Sequence, residues 1–368
     1  MKGMRQMTDV IIVGAGPAGT AAAFALLSKG FDVLLIDRHR FPWKKPCAGG
    51  ITPKAFRLFP YDIRTLVRRE CRSVKIISGS GKPLVIRTED PLCYMVKRQE
   101  LDLFSLNRVI EMGADFRVIR KIENICQTGS GVKICTDSGR FSAGYLIGAD
   151  GANSVVRKYV SRDFVFQKKF AIEADVRLDK SGLYTMEFDF ARVRHGYFWV
   201  FPRDDHVNIG IYCFDDRCRI RTAALYEYAL KKFGTDRLES VRGYPICTGG
   251  HRFSSGSGRI LLAGDAAGLA EPVLGEGIYF ALKSAISAAR AVIESEHGSP
   301  GSCAERIYFK SLNQIRMDLR VCSMASKIFY RFPGFWIEML RLFPVHEKFA
   351  RGYSKGMSIT SIMRGRGF

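Results

Sequence analysis

The chain has 368 residues, 47% of them hydrophobic, with 57 Lys and Arg against 36 Asp and Glu for a net charge of +21. That length can build two domains or one interleaved unit, and the composition excludes a disordered or fully membrane-embedded protein. The basic surplus predicts an anionic partner, a phospholipid surface or an acidic carrier protein, and argues against nucleic acid: the charge is dispersed, with no helix-turn-helix, zinc finger or aromatic RNA-binding run.

Residues 10–13 read as a fully buried, β-branched strand. Gly14, Gly16 and Gly19 follow in G-x-G-x-x-G spacing, an Ala-rich helix opens at Pro17 and Ala18, and a second apolar run over 33–36 closes on Asp37. Gly14 makes the tight turn, Gly16 admits a pyrophosphate close to the backbone, and Gly19 lets helix and strand pack tightly. The helix N-terminus offers unpaired N–H groups and a positive dipole end, and Asp37 would accept from ribose hydroxyls. Strand, glycine turn, helix and acid in this order predict a dinucleotide site. The apolar stretch 10–27 is nearly long enough to span a bilayer, but its glycines and proline fit a soluble βα unit. No secretory signal precedes the first strand, and the ten cysteines contain no C-x-x-C pair. Reduced thiols in a cytoplasmic protein are therefore expected, and the scattered histidines predict no metal site.

Residues 38–54 form a long loop rich in Arg, Lys, Gly and Pro, of the kind that tends to be functional. Cys47 sits among Arg38, Arg40, Lys44 and Lys45, which would lower its pKa if close in space, and is followed by Ala48 and Gly49. It is a candidate active-site residue or else a small buried filler. A helix is predicted over 98–112, ended by Gly113, then strands over 116–122, 132–136 and 145–149, the last turning tightly at Asp150-Gly151. Alternating runs over 170–178, 184–190, 197–201 and 206–212 predict an antiparallel sheet with one covered face, followed by a helix over 219–233. Alternation puts Tyr197, Trp199 and Phe201 on one face and Phe198 on the other. These aromatics are core packing or the wall of an apolar cavity. The chain then returns to a buried strand over 259–263, the turn Gly264-Asp265, and Gly275-Glu276-Gly277 opening a helix at Ile278. The Asp265 carboxylate and this second helix N-terminus are suited to the same dinucleotide.

The N-terminal βαβ unit, the Asp150-Gly151 turn and the Gly264-Asp265 segment resemble the flavoprotein class of aromatic hydroxylases and geranylgeranyl reductases. K-P-C-A-G-G-I-T-P at 45–53, Y-F-W-V-F-P at 197–202 and G-D-A-A-G-L-A-E-P-V-L-G-E-G-I at 264–278 are similar to the geranylgeranyl reductase family in particular, over roughly residues 8–295. The resemblance implies an α/β fold: a Rossmann-like FAD-binding domain (1–60, 95–160 and 255–300) interleaved with an α+β substrate domain on an antiparallel sheet (61–94 and 161–254). A C-terminal helical segment, 301–368, follows. It implies one tightly bound FAD, held by Gly14, Gly16, Pro17, Ala18, Gly19, Asp37 and Arg38 and by Cys47, Ala48 and Gly49. Arg98, Asp150, Gly264, Asp265, Gly275, Gly277 and Ile278 complete that set. Cys47 would be catalytic, with Tyr197, Trp199, Phe201 and Pro202 along a lipid channel. Asp37 stands where the family usually has Glu, and Ala48 where some members have Gly.

The implied reaction is reduction of C=C bonds in a prenyl chain of a lipid, quinone or chlorophyll-like substrate. The electron donor would be NADPH or reduced ferredoxin, and the positive charge favours an acidic carrier as encounter partner. The proton donor is Cys47 or a bound water. Alternatives are an aromatic monooxygenase or halogenase, or an electron-transfer flavoprotein to quinone; the last would need an iron–sulfur cluster for which no cysteine spacing is present. Residues 302–368 interleave basic and aromatic residues without a membrane span. They read as a helical lid, or as a peripheral anchor on the anionic cytoplasmic face of a membrane, with an amphipathic helix over 331–344.

Overall fold

The computed structural model describes residues 7–79, 82–160, 166–178, 184–215, 220–252, 255–298, 303–343 and 345–363. The β-branched opening run forms strand Thr8–Val13, paired in parallel with Val33–Asp37 on one side and Gly139–Gly148 on the other. Its last four residues are buried, as expected of a strand covered on both faces. Ile260–Leu262 and Gly256–Ser257 extend the sheet beyond Gly139–Gly148, and Asp115–Val118 extends it beyond Val33–Asp37. Helices Pro17–Leu27 and Ile278–His297 pack on each other through alanine-rich faces. Ala22, Ala23, Ala285 and Ala288 are fully buried there.

The predicted strand over 116–122 is two strands. Asp115–Val118 belongs to the parallel sheet, whereas Ile122–Gln127 pairs antiparallel with Val132–Thr136. The break falls where the Ile119 N–H turns to donate to the Asp37 carbonyl. Periodicity alone cannot show this change of partner.

Among the described residues the second sheet has seven strands, from Glu239–Thr248 through Gln167–Arg177, His206–Cys213, Gly196–Pro202 and Met186–Asp189 to Ser73–Ile77 and Leu84–Arg87. It is antiparallel except where Met186–Asp189 runs parallel to Ser73–Ile77. The alternation in Gly196–Pro202 holds. Phe198 stacks on Tyr228 of helix Thr222–Phe233 (centroids 4.2 Å, 8°), while Tyr197 and Trp199 face the opposite side. Gly210 pairs with Trp199 across the sheet; a Cβ there would lie 2.0 Å from the indole, so only glycine admits the ring. A further sheet pairs Gly50–Ile51, Cys93–Val96 and Val67–Cys71 in that order.

The C-terminal helices are built into the core rather than appended to it. Tyr308, on helix Ala304–Ser311, is buried and donates to the Leu262 carbonyl at 2.7 Å, and Leu312, Ile315 and Leu319 join the main core cluster. Tyr330 and Ile337 join the aromatic cluster around Tyr197. The amphipathic stretch forms helix Pro333–Leu342, with Pro344 outside the described residues. Among the described residues no helix is long and apolar enough to cross a membrane. Eight cysteines are free thiols, but Cys213 is in a disulfide, which corrects the expectation of a wholly reduced chain. Cys218 lies outside the described residues.

Candidate active site

The glycine turn has the geometry its spacing predicts. Gly14 has φ of 105°, and a Cβ on it would lie 2.3 Å from the Ala149 carbonyl oxygen. A Cβ on Gly19 would lie 1.7 Å from the Gly14 oxygen, so that position is closed by helix-on-turn packing. Gly16 is different: a Cβ there would meet nothing within 4 Å, and from Ile11 to Ala23 it alone is not buried. The turn therefore opens outward at Gly16, at the N-terminus of helix Pro17–Leu27, whose first turn carries no acid. Asp37 accepts from the Ala15 N–H at 2.8 Å and from the His39 N–H at 2.8 Å, tying the turn to the second strand. A carboxylate has further lone pairs for a ribose hydroxyl. Arg38 is exposed beside it.

The 264–278 segment comes up beside this turn, where a Cβ on Gly264 would lie 3.5 Å from the Ala18 side chain. Gly264 has φ of 60° and a buried N–H bonded to the Ser284 hydroxyl. Asp265 is half-buried, and a Cβ on Gly277 would lie 3.5 Å from its carboxylate, so the acid sits at the N-terminus of helix Ile278–His297. Burial raises the Asp265 pKa, opposed by the charges of Lys45, Arg98 and Arg157. Arg157, which the sequence reading missed, is buried and donates to the carbonyls of Ala152, at 2.8 Å, and Ala266, at 2.9 Å. It locks the Asp150 turn to the Gly264–Asp265 turn. A basic residue in the first turn of a helix that directly follows the Asp-Gly turn was the available signal. Asp150 itself points into that helix, accepting from the Val155 N–H at 2.6 Å, while its second oxygen is buried without a partner.

The cysteine loop is held between the sheets by polar groups from the second one. The Cys47 N–H donates to Glu173 at 2.9 Å, the Ala48 carbonyl accepts from Arg203 at 2.9 Å, and Lys44 pairs with Asp175 at 3.0 Å. Asn208 links Asp175 to the Trp199 indole N–H, with distances of 3.0 and 2.8 Å. Gly49 has φ of 73°, and a Cβ there would lie 2.2 Å from the Val96 oxygen, so the turn after Ala48 also requires glycine. The half-buried Cys47 thiol accepts from the Gly49 N–H at 3.5 Å and lies beside Arg98. Arg98 is buried and clamped by Asp102 at 2.8 and 3.0 Å. Burial opposes its charge, but Asp102 and then Cys47 outweigh this and hold its pKa above the ordinary value. Glu173, Asp175, Arg203 and Asn208 were not singled out from sequence, because inward polar residues on a strand look like any others until the loop they meet is known.

The third part is the loop between Asp265 and Gly277. Three tyrosines from separate elements donate to successive carbonyls: Tyr212 to Pro272 at 2.9 Å, Tyr330 to Val273 at 2.5 Å and Tyr197 to Leu274 at 2.6 Å. Buried Glu271 accepts from the N–H groups of Val273 and Leu274. Glu276 pairs with buried Lys54 at 2.6 Å and accepts from Thr52, anchoring the residues just past the cysteine loop. Tyr197 and Trp199 are only 3% and 5% exposed, with Phe201 beside them and Pro202 buried at the strand end. Gly275 lies against the Tyr212 ring, and Ile278 packs against the main core.

The open cradle at Gly16, two helix N-termini and two acids placed at them fit a dinucleotide such as FAD. The match to known proteins agrees. Residues 7–213 match the FAD binding domain model, which makes the chain a flavoprotein. It is 34% identical over 363 residues to an uncharacterised protein of Methanosarcina barkeri, covering 96% of this chain and 93% of the relative. It is 30% identical over 358 residues to the chloroplastic geranylgeranyl diphosphate reductase of Oryza sativa, covering 88% of this chain and 75% of that one. The first match reaches past residue 295 into the C-terminal helices, further than the motifs alone extend. A geranylgeranyl bacteriochlorophyll reductase-like protein of Thermoplasma acidophilum shares the fold with a TM-score of 0.78 at 20% identity, covering 98% of this chain and 95% of that one. The flavin-dependent brominase Bmp2 shares it at 0.75 and 17%, covering 98% of both chains. The chain belongs to the geranylgeranyl reductase family of FAD-dependent oxidoreductases.

Two outcomes follow from this geometry. Gly16→Ala keeps the melting temperature of flavin-free wild type, because its Cβ enters open space, but loses flavin absorbance after purification; Gly19→Ala fails to fold. Glu173 and Glu271 are both pushed up to about 7 by burial. The folded state therefore holds these protons more tightly than the unfolded chain. Their stabilisation is complete below about pH 4.5 and is lost as pH rises through about 7. Denaturant titrations across that window should show stability falling with pH, and Glu173→Gln should flatten the slope.

Proposed function

We propose that the protein reduces C=C bonds in the prenyl chain of a lipid-like substrate, with Cys47 as the proton donor. The observation that carries this reading is the meeting of the Cys47 thiol, Arg98 and Asp265 beside the buried aromatic strand, in a chain whose relatives include geranylgeranyl diphosphate reductases. Gly14, Gly16, Pro17, Ala18, Gly19, Asp37 and Arg38 would hold the adenosine and pyrophosphate half of FAD. Cys47, Ala48, Gly49, Arg98, Gly264, Asp265, Gly275, Gly277 and Ile278 would surround the flavin, with Asp150 shaping the turn behind it. When bound and reduced, FAD supplies a hydride for one alkene carbon.

The residues of the chain supply the rest. An isolated alkene is a poor electrophile, so the site must exclude water and hold the chain in a reactive pose. Tyr197, Trp199, Phe201 and Pro202 provide the apolar face for this. The Cys47 proton, at Sγ, goes to the second alkene carbon, and the thiolate left behind is stabilised by the Arg98 guanidinium. The electron donor would be NADPH or reduced ferredoxin, docking transiently. In this reading the chain divides into an FAD-binding part (1–60, 95–160 and 255–300), a substrate part (61–94 and 161–254) and the C-terminal helices from 301 onward.

The C-terminal helices also suit contact with a lipid surface. Phe332, Phe335, Leu342 and Phe343 are exposed along and around helix Pro333–Leu342, with Arg331 and Arg341 among them. Apolar side chains ringed by cations bind anionic headgroup regions. The triple variant Phe335→Ser, Leu342→Ser and Phe343→Ser should lose co-sedimentation with phosphatidylserine vesicles while keeping its flavin; unchanged sedimentation would remove the membrane assignment.

The reaction itself is checked by mass spectrometry. Flavin-loaded protein with dithionite and geranylgeranyl diphosphate should give products heavier by one H2 per reduced bond. Cys47→Ser should lower turnover by roughly a hundredfold or more, at the modest end of general-acid contributions, with flavin content unchanged. No mass gain, together with NADPH-linked oxygen consumption on an aromatic substrate, would favour a monooxygenase instead.

A further inference from the structure

We infer that the cleft between the seven-stranded sheet and the C-terminal helices binds the phosphate-bearing head of the substrate, an inference that rests on the prenyl-reductase reading above. The cleft has a volume of about 1080 Å³. Four separated segments wall it: the start of strand Gln167–Arg177, the turn at 190–195, residues 214–215 just past strand His206–Cys213, and residues 327–333, where helix Asn313–Phe329 passes into Pro333–Leu342. Lys169, Arg192, Arg194, His195, Lys327 and Arg331 line it, against one acid, Asp215, among the described residues.

Part of this charge is already engaged. Arg192 reaches Asp189 at 3.2 Å, and the nearly buried Lys169 ammonium lies 4.6 Å from the Phe214 ring centroid. Arg194 and Lys327 make no ion pair among the described residues. Cations gathered from three parts of the chain into one concavity repel one another and focus a positive potential there. An anion relieves that repulsion. His195 adds to the case, since it holds φ of 60°, a left-handed conformation uncommon outside glycine. The N-terminus of helix Pro333–Leu342 also starts at the cleft, with Pro333 in its lining and no acid in its first turn. Guanidinium forks with ammonium groups suit a phosphate or diphosphate better than a lone carboxylate, which one arginine satisfies.

The same cleft is continuous with the aromatic wall. Tyr330 lines it and stacks on Phe214 (4.8 Å, 12°), while its hydroxyl reaches the Val273 carbonyl of the 271–278 loop. Phe190, also in the lining, is 5.3 Å from the Tyr197 ring, which is 6.2 Å from Trp199. A multiply charged head in the cleft would therefore place the start of an apolar chain against the edge of this buried aromatic cluster. Both a prenyl diphosphate and a prenylated glycerophospholipid carry that chemistry.

Isothermal titration calorimetry with inorganic pyrophosphate tests the site without requiring turnover. The flavin-loaded wild type should bind it, the double variant Arg194→Gln and Lys327→Gln should bind it roughly tenfold more weakly or worse, and Lys327→Arg should stay near wild type. Both side chains are exposed, so folding is preserved and can be verified by the melting temperature. In turnover the double variant should raise KM for geranylgeranyl diphosphate by a similar factor and leave geranylgeraniol, which lacks the charge, unaffected. A digeranylgeranyl glycerophospholipid in detergent forms the second arm, and the substrate whose KM rises identifies the source of the phosphate. Absent pyrophosphate binding, equal affinity in the double variant, or no KM change in either arm would overturn the assignment. Intact, charge-dependent pyrophosphate binding with no prenyl reduction would support the anion site and refute the reductase reading.

Discussion

The site depends on one buried carboxylate. Glu173 leaves the second sheet to accept the Cys47 N–H, and around it Asp175, Arg203 and Asn208 bind the same loop to the same strands. Residues 38–49 have no regular structure to position them, and a loop carrying so much charge would otherwise lie in solvent. Burying a carboxylate is costly unless it is bonded, so the arrangement holds only with the loop seated. That seating sets the cysteine against Arg98, whose own charge is balanced by Asp102 on the next turn of its helix.

A second constraint joins the three parts of the chain. The backbone carbonyls of Pro272, Val273 and Leu274 are each taken by a tyrosine, from strand His206–Cys213, from the end of helix Asn313–Phe329 and from strand Gly196–Pro202. The loop at 272–274 is thus bonded at once to the second sheet and to the C-terminal helices. Buried tyrosine hydroxyls need partners, and bare carbonyls in an irregular buried loop need donors; each satisfies the other. Tyr330 thus ties the lining of the outer cleft to the loop that leads to Gly275 and Gly277.

The local chemistry of the nucleotide half was legible in the sequence. G-x-G-x-x-G between a strand and a helix carries its own geometry, and Gly14, Gly16 and Gly19 occupy closed, open and closed environments as their spacing predicts. The two faces of Gly196–Pro202 were legible for the same reason, since a strand's period of two is a covalent property. Less was legible at 116–122, where one apolar run serves two different partners, and at 302–368, where composition gave helices but no sign that Tyr308 and Leu319 belong to the central core.

The sequence by itself therefore determined the βαβ unit, the turn chemistry, the sidedness of the aromatic strand and the cysteine as a residue to watch. Only the tertiary structure decided which polar groups hold that cysteine, which tyrosines hold the loop at 272–274, and which cations share a cleft. The reason is range. Motif and periodicity report contacts between residues a few positions apart, whereas Cys47 meets Glu173, and Tyr330 meets Val273, across long stretches of chain that no local pattern records.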